Sequence, residues 1–229
     1  MIAINHELLL QFAHKALTIN EGIAIDARFI TSASRAVSND ELTKLKEKRA
    51  TPEGRLDRNA KPLTFSRDPE SDWTVRDDKP HYGLKEHTSV DTTNGFILAT
   101  TMTPASVHES TYLPSCAGAS SHTQDPIKKV SADKRYYGRP NRHFLSLTGI
   151  TDGIMRKDTT GATVTDRDRA RNRQVAKKRS IVEQCFGLSH LHDGAYRARV
   201  TASVKNIRDT LCRQMAFNLF RVSNIILAT

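Results

Sequence analysis

Cysteine, long apolar runs and targeting segments are scarce or missing in this sequence of 229 residues. Its three cysteines are an odd number without C-x-x-C spacing, which argues against a disulfide framework and against a structural zinc site. The mean hydropathy is −0.51, and no apolar run approaches the roughly 18 residues of a membrane-spanning helix. Residues 1–15 carry no basic segment and lead to no small-residue cleavage site, so a signal peptide is not indicated. We therefore expect a cytoplasmic protein without a membrane partner.

Several motifs of common enzyme classes are absent as well. The sequence has no GxxxxGK[ST], no HExxH, no GxSxG and no GxGxxG after a strand, which argues against P-loop, zincin, α/β-hydrolase and dinucleotide-binding proteins. An RNA-binding protein has little support, because neither an RNP-like aromatic motif nor a GXXG clamp is present. The length suits one well-filled α/β domain.

Charge is distributed very unevenly along the chain. Lys and Arg number 35 against 25 Asp and Glu, which gives a formal net charge of +10. Residues 127–229 contain 21 basic and 8 acidic residues and carry +13, whereas residues 1–126 carry −3. A basic excess of this size is typical of proteins with a polyanionic partner. The second half of the chain is therefore the expected binding surface.

Alternation of β-branched residues predicts four or five strands. Residues 22–30 form an apolar strand that contains Asp26, and residues 81–90 and 96–103 are predicted to form a hairpin. The Asn94-Gly95 pair of that hairpin supplies the positive φ angles of a tight turn. Residues 127–133 predict a returning strand that ends on Asp133, and residues 150–155 a short additional one.

Helical spacing and capping residues predict the remaining elements. The expected helices cover 105–115, 140–149, the run of 181–188 that follows the basic segment 166–179, and 204–226. Within the third helix, Ile181, Val182, Cys185, Phe186 and Leu188 share one face. His190 and His192 fall in a predicted loop after it. Residues 37–80 are highly charged and lack periodicity, which predicts an exposed excursion.

Three acidic residues stand where chemistry is favoured. Asp26 lies inside an apolar strand, Asp133 ends the returning strand, and Glu183 lies on the helix that follows the basic segment. A carboxylate in such a strand is costly to bury unless it is paired with a cation. If the first and the returning strand are neighbours, Asp26 and Asp133 meet, and two close carboxylates favour a divalent metal between them. Mg²⁺ is the expected occupant.

Seven segments together resemble the catalytic domain of transposases of short bacterial insertion sequences, the Asp-Asp-Glu (DDE) class. They are 23–35 (IAIDARFITSASR), 68–74 (DPESDWT), 79–97 (KPHYGLKEHTSVDTTNGFI), 103–110 (TPASVHES), 131–144 (SADKRYYGRPNRHF), 153–158 (GIMRKD) and 179–193 (RSIVEQCFGLSHLHD). They occur in the family's order over residues 21–224. The resemblance implies an α/β fold of the RNase H-like type, a mixed sheet with three antiparallel strands, a crossover helix and parallel strands, flanked by helices.

The resemblance also implies a site and an activity. Asp26, Asp133 and Glu183 correspond to the triad that binds Mg²⁺, or Mn²⁺ as a substitute, with Asp26 bridging two ions. The implied reaction is metal-dependent cleavage and strand transfer at insertion-sequence ends, with transposon and target DNA as partners and a homo-oligomer on the DNA. Residues expected to hold DNA phosphates are Arg139, Arg171, Arg173, Lys177, Lys178 and Arg179, although a solvated helix face explains the basic run as well. Tyr136 and Tyr137 could stack on a base or pack in the core.

Some residues depart from the family pattern. Ala176 stands where a tyrosine is usual and His190 where a lysine is usual. Arg135 replaces a usual glycine, which could hinder a tight turn or the approach of DNA. Residues 1–20 are expected to be a short helical remnant of a longer amino-terminal region, before a catalytic domain over 21–229. These departures keep open an alternative: a truncated, catalytically inactive fragment that binds DNA or a full-length transposase.

Overall fold

One mixed β-sheet organises the chain. The computed structural model describes residues 2–15, 22–51, 68–121 and 127–227. The strands of the sheet are β1 (Ile23–Thr31), β2 (Asp72–Arg76), β3 (Lys79–Asp91), β4 (Ile97–Pro104), β5 (Lys129–Ala132) and β6 (Thr151–Ile154). Their order is β2-β3-β1-β5-β6, and β4 also pairs with β3.

The sheet changes from antiparallel to parallel pairing at β1. On one side β1 runs antiparallel to β3, from the pair Ile23 and Asp91 to the pair Thr31 and Gly83. On its other side β1 runs parallel to β5, which in turn runs parallel to β6. The predicted mixed sheet of the RNase H-like type, with three antiparallel strands followed by parallel ones, is confirmed by β1, β3 and β4 and by β5 and β6.

The predicted hairpin is also present, as β3 and β4. Its turn differs in one detail, because Gly95 has φ +76° whereas Asn94 is not among the residues with positive φ. The Asp91 carboxylate accepts the backbone N–H groups of Thr93 and Asn94, so it organises the turn from its first residue. Burial raises the pKa of Asp91 to about 6, although those hydrogen bonds lower it.

Helices cover the sheet and its edge. They are α1 (Ile2–His14), α2 (Asn39–Ala50), α3 (Leu113–Ala119), α4 (Arg139–Leu147), α5 (Asp166–Asp193) and α6 (Ser203–Leu227). The crossover from β4 to β5 passes through α3, as predicted for a returning parallel strand. Among the helices that the structure describes, none combines the length and the apolar character needed to cross a membrane.

Side chains of β1 alternate between two hydrophobic clusters. Ile23 and Ile25 belong to the larger cluster, together with apolar residues of α1, α3 and α4. Ala24 belongs to a second cluster with Val182 of α5. Because successive strand residues point to opposite faces, Asp26 lies on the face that α5 covers.

The predicted helix over 105–115 begins later than expected and is only partly an α-helix. A 3-10 helix spans Glu109–Tyr112, and α3 begins only at Leu113, with a proline in its first turn. The preceding segment stays attached to β3, because Ala105 N–H donates to Gly83 and Lys85 Nζ donates to the carbonyl of Val107 at 2.6 Å. These hydrogen bonds hold residues 105–107 beside β3, and helical structure starts only at Glu109.

The charged segment 37–80 contains more regular structure than its composition predicts. Ser38 begins α2 with a capping box formed with Glu41, and β2 adds to β3 through a turn in which Asp77 and Asp78 have positive φ. Most side chains of α2 are exposed, which explains why no apolar periodicity marks this helix. Residues 52–67 of the segment lie outside the described residues.

The long helix α5 is continuous. It begins with a capping box of Thr165 and ends at Gly194, which has φ +58°. The histidines at 190 and 192 therefore lie in its last turn, and the prediction of a loop there is wrong. Leu188, predicted on the buried face, is exposed because this end of the helix extends beyond the hydrophobic cluster.

The last helix, α6, buries a polar stripe. The predicted helix is present, but Val204, Leu219 and Ile226, apolar residues that recur at helical spacing, are exposed. The buried stripe instead contains Asn206, Thr210, Leu211, Gln214 and Asn218. The stripe is polar because α6 packs on β4. Among the described strands, β4 pairs with β3 alone, so its other edge faces α6. The side chain of Asn218 donates to the Ile97 carbonyl and accepts from the Ile97 N–H, both at 2.8 Å.

Replacing Asn218 should destabilise the fold. Asn218→Ala leaves the buried N–H and carbonyl of Ile97 without partners, which costs roughly 2–4 kcal/mol of the free energy of unfolding. Urea denaturation followed by circular dichroism measures the change. Asn224→Ala is the matched control, because Asn224 lies on the same helix and is exposed. Equal effects of the two substitutions would show that the Asn218 amide does not hold the strand edge.

Candidate active site

Asp26 occupies the middle of β1 on the face covered by α5. Its Oδ1 accepts the backbone N–H of Ala27 at 2.9 Å, and its Oδ2 accepts Nη1 of Arg179 at 2.6 Å. Burial raises the pKa of Asp26 to about 6, although Arg179 and the Ala27 N–H lower it. The neighbouring charges of Asp133 and Glu183 raise it further. A single guanidinium therefore does not compensate fully for burying this carboxylate.

Asp133 follows β5 directly and lies beside Asp26. The register pairs Ile25 with Ala132, so each aspartate is the next residue on one of two adjacent parallel strands. Asp133 is the cap of the 3-10 helix Lys134–Tyr136, and its Oδ1 accepts the N–H of Lys134 at 2.5 Å. The second carboxylate oxygen of Asp133 has no hydrogen bond among those the structure describes.

Glu183 reaches the same place from α5. Arg179 lies one helical turn before it and donates Nη2 to Glu183 Oε1 at 2.5 Å while Nη1 contacts Asp26. The Arg179 side chain is 16% exposed and that of Glu183 is 54% exposed. The guanidinium thus connects the helix carboxylate to the strand carboxylate. The structure brings the three acids predicted from the sequence into one electrostatic neighbourhood.

The carboxylates of Asp26, Asp133 and Glu183 suit a divalent cation, but the Arg179 guanidinium contacts two of them. Carboxylate oxygens are the ligands that Mg²⁺ and Mn²⁺ prefer, and the pKa of Asp26 is raised chiefly by burial of its charge, which a bound cation would offset. Within the part of the chain that the structure describes, no three His, Cys, Asp or Glu side chains converge closely enough to hold a metal ion. Arg179 lies between two of the candidate ligands.

The basic residues predicted to bind DNA fall into two groups. Arg173, Lys177 and Lys178 are exposed on α5, as is Arg139 at the start of α4. Arg171 is different, because its guanidinium donates to the carbonyls of Ile154 and Asp152 at 2.7 and 2.5 Å. This arginine fixes the end of β6 against α5.

A cationic cavity of about 580 Å³ opens beside α4. Its lining includes Tyr137, Arg139, Arg142, His143 and Asp152. The guanidinium carbons of Arg142 and Arg156 lie 5.8 and 5.6 Å from the centre of the Tyr137 ring.

One acid in this cavity faces several arginines. Asp152 contacts Arg142 at 3.6 Å, Arg156 at 3.0 Å and Arg171 at 3.6 Å, so the cavity keeps a positive excess. Sequence reasoning missed Arg142 and Arg156, although both belong to segments that carry the family resemblance. Tyr136 is buried and belongs to the core, whereas its neighbour Tyr137 lines the cavity.

The unusual Arg135 is accommodated without strain. Arg135 is not among the residues with positive φ, so this position does not require glycine. Its Nη1 lies 3.4 Å from Oε1 of the buried Glu109, which lies 4.0 Å from Lys85 Nζ. The Asn141 amide donates to the carbonyls of Ser110 and Tyr136, both at 2.9 Å. These contacts attach the 3-10 helix after Asp133 to the preceding one.

The other two departures lie along α5. Ala176 is half-buried. The ring of His190 lies 4.9 Å from the ring of Tyr196, in the last turn of the helix. Neither residue contacts the three acids through any interaction that the structure describes.

Comparison with known proteins agrees with this arrangement. Residues 20–205 match the family described as the transposase DDE domain. The curated transposase for insertion sequence element IS1106 from Neisseria meningitidis serogroup B is 29% identical over 221 residues, which cover 93% of this chain and 70% of that protein. Asp26, Asp133, Arg179 and Glu183 all lie within the range matched to the family.

The buried Asp26 should make stability depend on pH. Its pKa rises from 3.8 to about 6 on folding, so its favourable contribution is complete below pH 3.8 and is lost as pH rises through 6. Asp26→Asn removes this loss. We compare the free energy of unfolding of Asp26→Asn with that of the unmodified chain in metal-free buffer. The difference between the two should shift in favour of the variant by about 3 kcal/mol from pH 3.5 to pH 7.

Denaturant titration at a series of pH values measures this difference. Glu47→Gln on α2 is the control, because Glu47 is exposed and remote from the site. Parallel pH profiles for the unmodified chain and Asp26→Asn would contradict the assignment of a raised pKa to Asp26.

Proposed function

Since the chain belongs to the transposase DDE domain family, we propose that it catalyses metal-dependent cleavage and strand transfer of DNA at insertion-sequence ends. Family membership implies an enzyme of the phosphoryl-transfer class that acts on DNA with a divalent metal. The specific reaction, its two steps and the DNA ends are the proposal. Hydrolysis would free a 3′-hydroxyl at the element's end, and that hydroxyl would then attack the target strand.

The pairing of β1 with β5 is the observation that supports the proposal most directly. It sets Asp26 and Asp133 side by side at adjacent strand positions, and α5 adds Glu183 from above the sheet. Two acids on neighbouring parallel strands and one on a packed helix form an acidic centre in which Arg179 lies between Asp26 and Glu183. Such a centre holds divalent cations in enzymes that cleave phosphodiesters.

We assign Asp26, Asp133 and Glu183 as the residues that would hold Mg²⁺, or Mn²⁺ as a substitute. The bound metal would stabilise the negative charge that develops on the attacking and leaving oxygens of the phosphodiester. The position of Asp26 is fixed by β1, which is paired on both sides, with β3 and with β5. Asp133 is oriented by the N–H of Lys134, and Glu183 by its helix.

The basic face of α5 would align the DNA backbone. Arg173, Lys177 and Lys178 are exposed on the helix that carries Glu183, and the cavity beside α4 adds Arg139 and Arg142. Contacts of this kind bind phosphates and set the position of DNA without reading its bases. Arg171 is excluded from this group because its guanidinium is engaged by the end of β6.

Two further parts of the proposal concern assembly and place. Simultaneous cleavage of two element ends would need two active sites, and we propose a homo-oligomer on DNA. The DNA partner puts the activity at the bacterial nucleoid, and the matched relative is bacterial.

Removing any one of the three carboxylates should abolish cleavage. Asp26→Asn, Asp133→Asn and Glu183→Gln each lose a negatively charged metal ligand, and we expect nicking to slow about 1,000-fold because several kcal/mol of charge stabilisation is lost. The assay follows nicking of labelled insertion-sequence-end DNA with Mg²⁺ or Mn²⁺. Glu47→Gln, which alters an exposed acid on α2, should retain the rate of the unmodified chain.

The same assay distinguishes the alternative function. DNA binding by the unmodified chain without metal-dependent nicking would identify it as an inactive fragment that competes for DNA or for a full-length transposase. Nicking that persists in Asp26→Asn would contradict the assignment of the acidic centre.

Charge on α5 should govern the salt dependence of DNA binding. Each phosphate contact contributes about −0.9 to the slope of log K against log salt concentration, so Lys177→Gln/Lys178→Gln should make the slope less steep by about 1.8. Fluorescence anisotropy with labelled duplex DNA between about 50 and 200 mM salt measures it. The control pair Lys205→Gln/Arg208→Gln removes two exposed charges from α6. Equal slopes for both double variants would argue against α5 as the DNA-binding face.

A further inference from the structure

Arg179 is the counter-ion of two candidate metal ligands at once. One guanidinium nitrogen lies 2.6 Å from Asp26 Oδ2 and the other lies 2.5 Å from Glu183 Oε1. These are short, charge-assisted contacts to two carboxylates that are 157 positions apart in sequence. The guanidinium of Arg179 therefore occupies the position that a metal ion bound by these two carboxylates would take.

The attachment of Arg179 depends on those two carboxylates. Its Nε is buried and, among the described residues, has no hydrogen-bond partner. The described contacts of the guanidinium are thus made by its two terminal nitrogens to Asp26 and Glu183. Because no third group of the described ranges holds the guanidinium there, it can leave when another cation takes the two oxygens.

Charge balance favours such an exchange. Asp26, Asp133 and Glu183 bring three negative charges to a centre in which the structure shows one guanidinium in contact. A divalent cation compensates for more of that charge. It would also repel a guanidinium that contacts the same carboxylates, so the two cations exclude each other.

We propose that Arg179 is an internal substitute cation that a divalent metal displaces, and that the released guanidinium then turns to a DNA phosphate. The inference rests on the proposed function and deepens it, because binding of the metal would then promote binding of a DNA phosphate by Arg179. Lys178, the adjacent residue, is exposed on the same helix, so another cation already lies in the same helical turn. In the metal-free chain the same arginine limits access of metal to the centre.

Metal affinity in the absence of DNA tests this exchange. We expect Arg179→Gln, which removes the competing charge but retains a polar side chain, to bind Mn²⁺ at least tenfold more tightly than the unmodified full-length chain. Arg179→Lys keeps the charge and should bind Mn²⁺ with nearly unmodified affinity. Lys205→Gln, which removes an exposed charge from α6, is the control and should leave the affinity unchanged. Electron paramagnetic resonance of free Mn²⁺ during titration gives the dissociation constants.

Thermal unfolding provides a second readout. Without metal, Arg179→Gln should unfold at a lower temperature than the unmodified chain, because two carboxylates lose their counter-ion. Added Mn²⁺ should restore more stability to Arg179→Gln than to the unmodified chain. A smaller Mn²⁺-induced increase in Arg179→Gln would overturn the inference.

The outcomes separate this inference from the proposed function. Mn²⁺ binding that Asp26→Asn does not weaken would refute the proposed metal centre. Binding that depends on Asp26 but is equal or weaker in Arg179→Gln would leave the metal centre intact and overturn the exchange, because Arg179 would then support the ligands. If the unmodified chain binds no Mn²⁺, Asp26-dependent binding gained by Arg179→Gln supports the exchange, and its absence overturns it.

Discussion

A carboxylate half-way along a central strand has to be compensated, and the contact between Asp26 and Arg179 supplies part of that compensation. Asp26 lies on the face of β1 that packs against α5, next to apolar side chains such as Ala24 and Val182. The packing that buries the carboxylate also brings the guanidinium to it, since both follow from docking α5 on the sheet. Glu183, one turn further along α5, shares the same arginine. The stability of this face and the composition of the acidic centre thus depend on one interaction.

The parallel pairing of β1 and β5 is the second constraint. It requires a crossover, which runs through α3, and it aligns Asp26 with Asp133. The 3-10 helix that follows Asp133 is in turn held by Arg135 and by Asn141, whose amide joins it to the neighbouring 3-10 helix. A residue that departs from the family pattern therefore acts as a support behind the acidic centre.

Most of the fold and the proposed site could be predicted from sequence, for reasons that are local. Alternation in 23–31 and 81–103 and a glycine at the hairpin turn depend on residues close to one another in the chain. The resemblance of seven ordered segments then singled out three acids. Local patterns failed where the partner is distant: Ala105 bonds to β3 and does not start a helix, and α6 buries a polar stripe because β4 presents unpaired backbone groups.

The sequence by itself determined the mixed sheet, the basic second half and which acids belong together. The tertiary structure alone decided what each cation does. Arg171 and Arg179 stand eight positions apart in one basic run, yet the first fixes the end of β6 and the second joins Asp26 to Glu183, while Lys177 and Lys178 remain exposed. Composition assigns all of these residues the same charge. Their roles differ because a guanidinium bonds to whatever oxygen the fold places within about 3 Å, and that distance is set by packing between segments far apart in the chain.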